Sequence, residues 1–249
     1  MPLMPFGLAP DHAIWLAAAL LGAAFVRGYS GFGFSAIFIA FAALLTNPVP
    51  LIPAIFACEI VMTLFLLPSI RGAIDWRLVG LLTLGAAIAI LPAVWVMARL
   101  EEDTARLAVS ALIFALGLVL LSGWRLERRV GGPGYLGIGA VSGMANAAGV
   151  GGLPVAGFMT AQPLSPQVFR AVMVVYLFFL DLMTLPVMGL NGLVSRDTFI
   201  AAGMAFPILG AGIWLGSRRF GHASPTAFRR AVVVLLLLLS GLGLWKALT

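Results

Sequence analysis

The chain has 249 residues, 62% of them hydrophobic and 10% charged, with a formal net charge of +6. A soluble domain carries about 25% charged residues, so this composition excludes a water-facing globular surface and leaves an integral membrane protein. The basic excess lies in short connections between apolar runs, where it sets membrane orientation and gives no sign of nucleic acid; the single cysteine, Cys58, excludes an internal disulfide and a multi-cysteine metal site.

In chain order, charges, prolines and glycine clusters divide the sequence into ten apolar segments: 12–28, 31–46, 50–70, 77–99, 105–124, 134–147, 149–163, 168–190, 197–217 and 226–247. The stretch before the first, Met1 to Asp11, has no Lys or Arg, so that first run reads as mature structure and not as a signal peptide. Six segments hold 20 residues or more, enough to span a hydrocarbon core of about 30 Å. The other four form consecutive pairs, 12–28 with 31–46 and 134–147 with 149–163, each joined by a Gly-rich hinge. Such a pair is two short spans, one broken span or a re-entrant hairpin.

A shift of 118 residues exposes an internal repeat. Gly31-Phe32-Gly33 falls on Gly149-Val150-Gly151, Asn47-Pro48 on Ser165-Pro166, Pro68 on Pro186 and Gly85 on Gly203. Asn47 and Ser165 suit N-caps, and a proline suits the first helical position. Thr104 and Thr226 mark equivalent helix starts after a small insertion. The expected organisation is one membrane domain made of repeat 1 (1–124), a linker (125–134) and repeat 2 (135–249).

Lys and Arg report orientation. If the chain crosses or returns at each of ten elements, Arg27, Arg71, Arg77, Arg125, Arg128, Arg129, Arg170, Arg218, Arg219, Arg229 and Arg230 share one face, eleven against the four of Arg99, Arg106, Arg196 and Lys246. Counting each short pair as one broken span divides fourteen of them seven to seven. The first arrangement has the required asymmetry. It puts both termini outside the cytoplasm and, with five elements per half, inverts one half against the other. The fold class is therefore an all-α polytopic membrane protein of two inverted repeats.

Inverted repeats with Gly-interrupted segments at matching positions point to a secondary transporter, with substrate bound near the midplane between the breaks. The first break is Arg27-Gly28-Tyr29-Ser30-Gly31-Phe32-Gly33 and the second Asn146-Ala147-Ala148-Gly149-Val150-Gly151-Gly152. Glycine lets backbone approach a ligand, and a helix that restarts after a break offers free N–H groups to an anion. The candidate substrate-binding residues are Arg27, Tyr29, Ser30, Gly31, Gly33, Asn146, Gly149, Gly151, Gly152 and Arg170. The glycines serve equally well for close helix packing, Arg27 as a loop residue that sets topology, and Arg170 as an interfacial side chain that snorkels. Glu59 and Asp181 are the acidic residues well inside long segments; each is a candidate for a coupling proton, for pairing with Arg27 or Arg170, or for a structural carboxyl.

His12 and His222 lie far apart without metal-ligand spacing, and no HExxH, nucleophile elbow or P-loop occurs. Neither an enzyme activity nor a metal or cofactor is expected. Trp15, Trp76, Trp95, Trp124, Trp214 and Trp245 lie mostly near segment ends, as an interfacial belt requires.

Each half opens with a small-residue helix, a GxG-type break and a short apolar helix leading to a proline-started span. With Gly28-Tyr29-Ser30-Gly31-Phe32-Gly33 and Gly143-Met144-Ala145-Asn146-Ala147-Ala148-Gly149-Val150-Gly151-Gly152-Leu153-Pro154, this pattern resembles the sulfite exporter TauE/SafE family over essentially the whole chain. The resemblance implies export of sulfite or small organosulfur anions such as sulfonates across a bacterial inner membrane. An uncoupled anion channel and a carrier for another small organic anion are the alternatives, and a homodimer is expected of so small a carrier.

Overall fold

The computed structural model describes residues 5–123, 126, 130–219 and 225–248, without the side chains of 225–231 and 246–248. Among these residues the chain forms ten α-helices and no strand: α1 (Pro10–Ser30), α2 (Phe34–Leu45), α3 (Ile52–Ile70), α4 (Trp76–Met97), α5 (Glu102–Leu121), α6 (Gly132–Asn146), α7 (Gly152–Thr160), α8 (Pro166–Leu190), α9 (Arg196–Arg219) and α10 (Pro225–Leu248). Each falls on one of the ten expected segments, with its ends within three residues. Trp124, Arg125, Arg128, Arg129 and His222 lie outside the described residues, as do the side chains of Arg229, Arg230 and Lys246.

Six helices, α1, α3, α4, α5, α8 and α9, are long and apolar enough to cross a membrane. The protein is thus a polytopic helical membrane protein. Among the short pairs α1 exceeds its sequence segment most: Pro10 takes an early helical position and α1 runs for 21 residues, whereas α2, α6 and α7 have 12, 15 and 9.

Local chemistry sets the helix starts. Ser165 caps α8 by accepting from Val168 N at 3.4 Å, and Asn47 accepts from Val49 N at 3.0 Å just ahead of α3. Asp75 caps α4, its Oδ1 accepting from Arg77 N at 3.1 Å and Leu78 N at 3.2 Å. Removing such a cap costs about 0.5–2 kcal/mol. Asp75→Ala is therefore expected to lower the melting temperature of the detergent-solubilised protein, and an unchanged melt would show that water caps α4 equally well.

Between the first five helices and the last five, contacts come in matched pairs. α1 lies on α9 and α6 on α4; α3 touches α9 and α8 touches α4; α2 touches α10 and α7 touches α5. Two like-with-like contacts, α3 on α8 and α5 on α10, complete the set. Lipid supplies no hydrophobic drive between helices, so close approach at small residues holds them. Gly139 and Gly143 of α6 meet the Leu82 and Ala86 carbonyls of α4, and Gly212 and Gly216 of α9 meet α1 at Leu21 to Phe25 and at Phe25 to Tyr29. In both seams the numbers rise together, so each pair of helices is parallel. α5 and α10 are antiparallel, with Gly117 against Leu237 and Ser110 against Gly243.

Trp15, Trp76, Trp95, Trp214 and Trp245 are exposed. Arg99 and Arg218 stack on Trp95 and Trp214 at 4.0 and 3.8 Å. This fits the expected belt, where a ring faces the apolar side and a cation stays wet.

Candidate functional site

The two breaks are built by backbone that a side chain resists. Gly31 closes α1 with φ 84° and Gly33 opens α2 with φ 90°. Gly149, in the middle of the second break, has φ 74°. The Ser30 hydroxyl lies 2.8 Å from Val26 O and 2.9 Å from Phe32 O and gives its one proton to this pair of carbonyls, which stabilises the first break and occupies the group with backbone. Gly151 is right-handed, but a Cβ there would stand 2.6 Å from Asn146 Oδ1. Gly152 begins α7. Tyr29 is buried against the seam with α9.

Each break carries one polar side chain that reaches the long helix of its own half. Arg27, in the last turn of α1, is 0% exposed. Its Nη1 donates to Glu59 Oε1 at 2.8 Å and its Nη2 to Thr63 Oγ1 at 3.1 Å, both on α3. Asn146, the last residue of α6, is also buried. Its Nδ2 donates to Asp181 Oδ1 at 3.4 Å and Thr184 Oγ1 at 3.0 Å, both on α8. α3 and α8 bring the two sets together: Asp181, 0% exposed, faces Glu59 side chain to side chain with Arg27 close by. Tyr176 and Ser142 extend the network, Tyr176 Oη donating to Ser142 Oγ at 2.6 Å and Ser142 to Gly151 O at 2.5 Å.

Arg27 is thus neither a loop residue nor an arginine open to solvent, because Glu59 neutralises it. Arg170 is buried too and does not snorkel; its Nη2 donates to Gly28 O at 2.7 Å, across the two halves. It does not meet the acidic pair. Both arginines leave the orientation count, which becomes nine against four.

The structure adds Thr63, Thr184, Tyr176 and Ser142 to the candidate site. Thr63 follows Glu59 by four residues and Thr184 follows Asp181 by three, so each pair shares one helix face. A hydroxyl one turn from a lone carboxyl in an apolar run was the available signal.

Leu16 and Leu20 of α1, Phe38 of α2, Leu51 just before α3, Ile55 of α3 and part of α9 line one apolar cleft of about 180 Å³. Its lining includes Cys58, the residue before Glu59. The starts of α1 and α3 therefore lie at one face of the protein, while the end of α1, at Arg27, stands beside the middle of α3. Phe38 brings α2 back towards the face from which α1 came.

The model of the family described as sulfite exporter TauE/SafE matches residues 16–243. The probable inner membrane transporter protein TsaS of Comamonas testosteroni is 29% identical over 189 residues, which cover 70% of this chain and 74% of that protein. No solved structure matches.

Proposed function

Because the chain belongs to the sulfite exporter TauE/SafE family, a family of membrane transporters, we propose that it is a secondary carrier of sulfite or small sulfonates working by alternating access. The observation that carries this reading is the buried cluster of Arg27, Glu59, Asn146 and Asp181, assembled from both breaks and both long helices. A charge in the bilayer interior is costly and marks a substrate or ion pathway. A guanidinium fork suits the several oxygens of a sulfur oxyanion.

The halves are two inverted repeats. In support, α1 runs parallel to α9, the fourth helix of the other half, and α6 runs parallel to α4. If direction alternates within each half, the two fourth helices point opposite ways. α1–α2 and α6–α7 are re-entrant hairpins entering from opposite faces, and their tips overlap at the acidic pair. Arg71, Arg77, Arg125, Arg128, Arg129, Arg218, Arg219, Arg229 and Arg230 then share the cytoplasmic face of a bacterial inner membrane, with both termini periplasmic. The cleft opens on the periplasmic side. Its apolar lining favours an organosulfonate, whose carbon tail is comfortable there, over bare sulfite.

Counterflow in proteoliposomes tests the site with sulfite, sulfoacetate, thiosulfate and taurine. Saturable counterflow of at least one anion is expected. Asn146→Ala removes a hydrogen bond to a charged group and is expected to slow it about tenfold or more. Normal counterflow by Asn146→Ala would remove that residue from the site, and saturable transport of a cation with none of these anions would overturn the reading.

A further inference from the structure

We propose that Glu59 and Asp181 share protons between the two halves and thereby release Arg27 to the substrate anion, so that anion and proton cross the membrane together. This rests on the anion-transport reading above.

The cluster contains two buried atoms with opposite needs. Arg27 Nε has no acceptor, although Nη1 and Nη2 of the same group are engaged. Asp181 Oδ2 has no donor, although Oδ1 accepts from Asn146. An anion satisfies the first atom and a proton satisfies the second. The carboxyl that faces Asp181 is Glu59. Two carboxylates in contact repel, and a proton between them turns the contact into a hydrogen bond.

Charge decides the order of events. One guanidinium faces two carboxyls, so the cluster is neutral when the pair holds one proton. In this state Glu59 holds Nη1 and its charge neutralises the guanidinium that an anion would need. A monoanion entering alone leaves an uncompensated charge in a dry interior. A second proton restores neutrality and turns Glu59 from an ion-pair partner into a neutral one, so the fork is free for the anion. Proton uptake and anion binding therefore favour one another, which is the sign of symport. An inward proton gradient then drives uptake of the anion, the reverse of what the name of the family suggests.

No other buried charge takes over this balance among the described residues. Besides these three groups, Arg170 is the buried ionic side chain. It stands about 16 Å from Asp181 along α8, by the rise of an α-helix, and binds the Gly28 carbonyl. Cys58 adjoins Glu59 on α3, and Tyr176 of α8 donates to Ser142. α6 contributes the neutral Asn146, and α2, α4, α7 and α9 bring no buried charged side chain.

The full-length protein in liposomes tests this with methanesulfonate and benzenesulfonate, strong-acid monoanions with no proton of their own to carry. Counterflow at equal pH first asks whether either anion is a substrate, and its absence for both overturns the sulfonate-carrier reading on which this proposal rests. With counterflow present, an internal pH dye is expected to report one proton entering per anion, at a rate insensitive to membrane potential. Half-saturation is expected to fall about tenfold per unit decrease in pH where the second proton is taken up. The double variant Glu59→Gln, Asp181→Asn leaves no carboxyl to take up a proton, so any anion it still carries is expected to cross without proton entry and without this pH dependence, and proton entry that survives in it overturns the proposal. Anion flux with no proton movement, or with protons leaving as anions enter, overturns the proposal while leaving transport intact. The wild-type stoichiometry decides this even where a variant fails to fold.

Discussion

Arg27→Met is expected to abolish transport and to destabilise the protein by about 3–5 kcal/mol, the cost of breaking a buried ion pair from one side. The pair is 2.8 Å long and its side chains are 0% and 1% exposed, so solvent neither screens it nor rehydrates the partner left behind. Met keeps most of the arginine's apolar volume, so the loss reports charge rather than a cavity. The double variant Arg27→Met, Glu59→Met removes both charges and is expected to recover most of the thermal stability without recovering transport. Melting in detergent and counterflow in liposomes separate the two effects. A single variant that melts with the wild type would mean that Glu59 is already neutral there. A double variant that transports would remove Arg27 from substrate binding.

Gly31→Ala is the second large effect expected. A left-handed residue other than glycine costs about 1–2 kcal/mol. The added Cβ would also stand 2.9 Å from Arg170 Cγ and 3.1 Å from the Arg170 carbonyl. Overpacking of that kind typically costs about 1–3 kcal/mol more. The clash pushes Arg170 off the Gly28 carbonyl, so the tip of the first break loses its tie to α8. Gly31→Asn separates the two causes, since asparagine tolerates left-handed backbone yet still needs the space. Gly137→Ala is the control: nothing lies within 4 Å of the added methyl, and a helical alanine is at least as stable as glycine. Equal melts for Gly31→Ala and Gly137→Ala would show that the break is not under this constraint.

Much of the fold was legible because its signals are local. Apolar runs bounded by Arg, Pro and Gly located all ten helices, and proline after Asn47 or Ser165 marked where long helices begin. Arg27, Glu59 and Asp181 stood out because an ionic side chain in an apolar run needs a reason. The repeat register was less secure than its coincidences suggested. Gly85 meets the Leu136 carbonyl, while its register mate Gly203 faces open space. On the other seam the fourth helix meets α1 at Gly212 and Gly216 instead.

The sequence by itself determined that this is a helical membrane protein with two Gly-broken elements and a few buried ionic residues, since each follows from the composition or spacing of neighbours. Only the tertiary structure decided who meets whom. Arg27 and Glu59 are 32 residues apart and Arg170 and Gly28 are 142 apart, and no local preference encodes such distances. They depend on where glycine seams let whole helices approach. That approach turned two separate carboxyls into one pair, and turned an arginine expected to await an anion into one already held by Glu59.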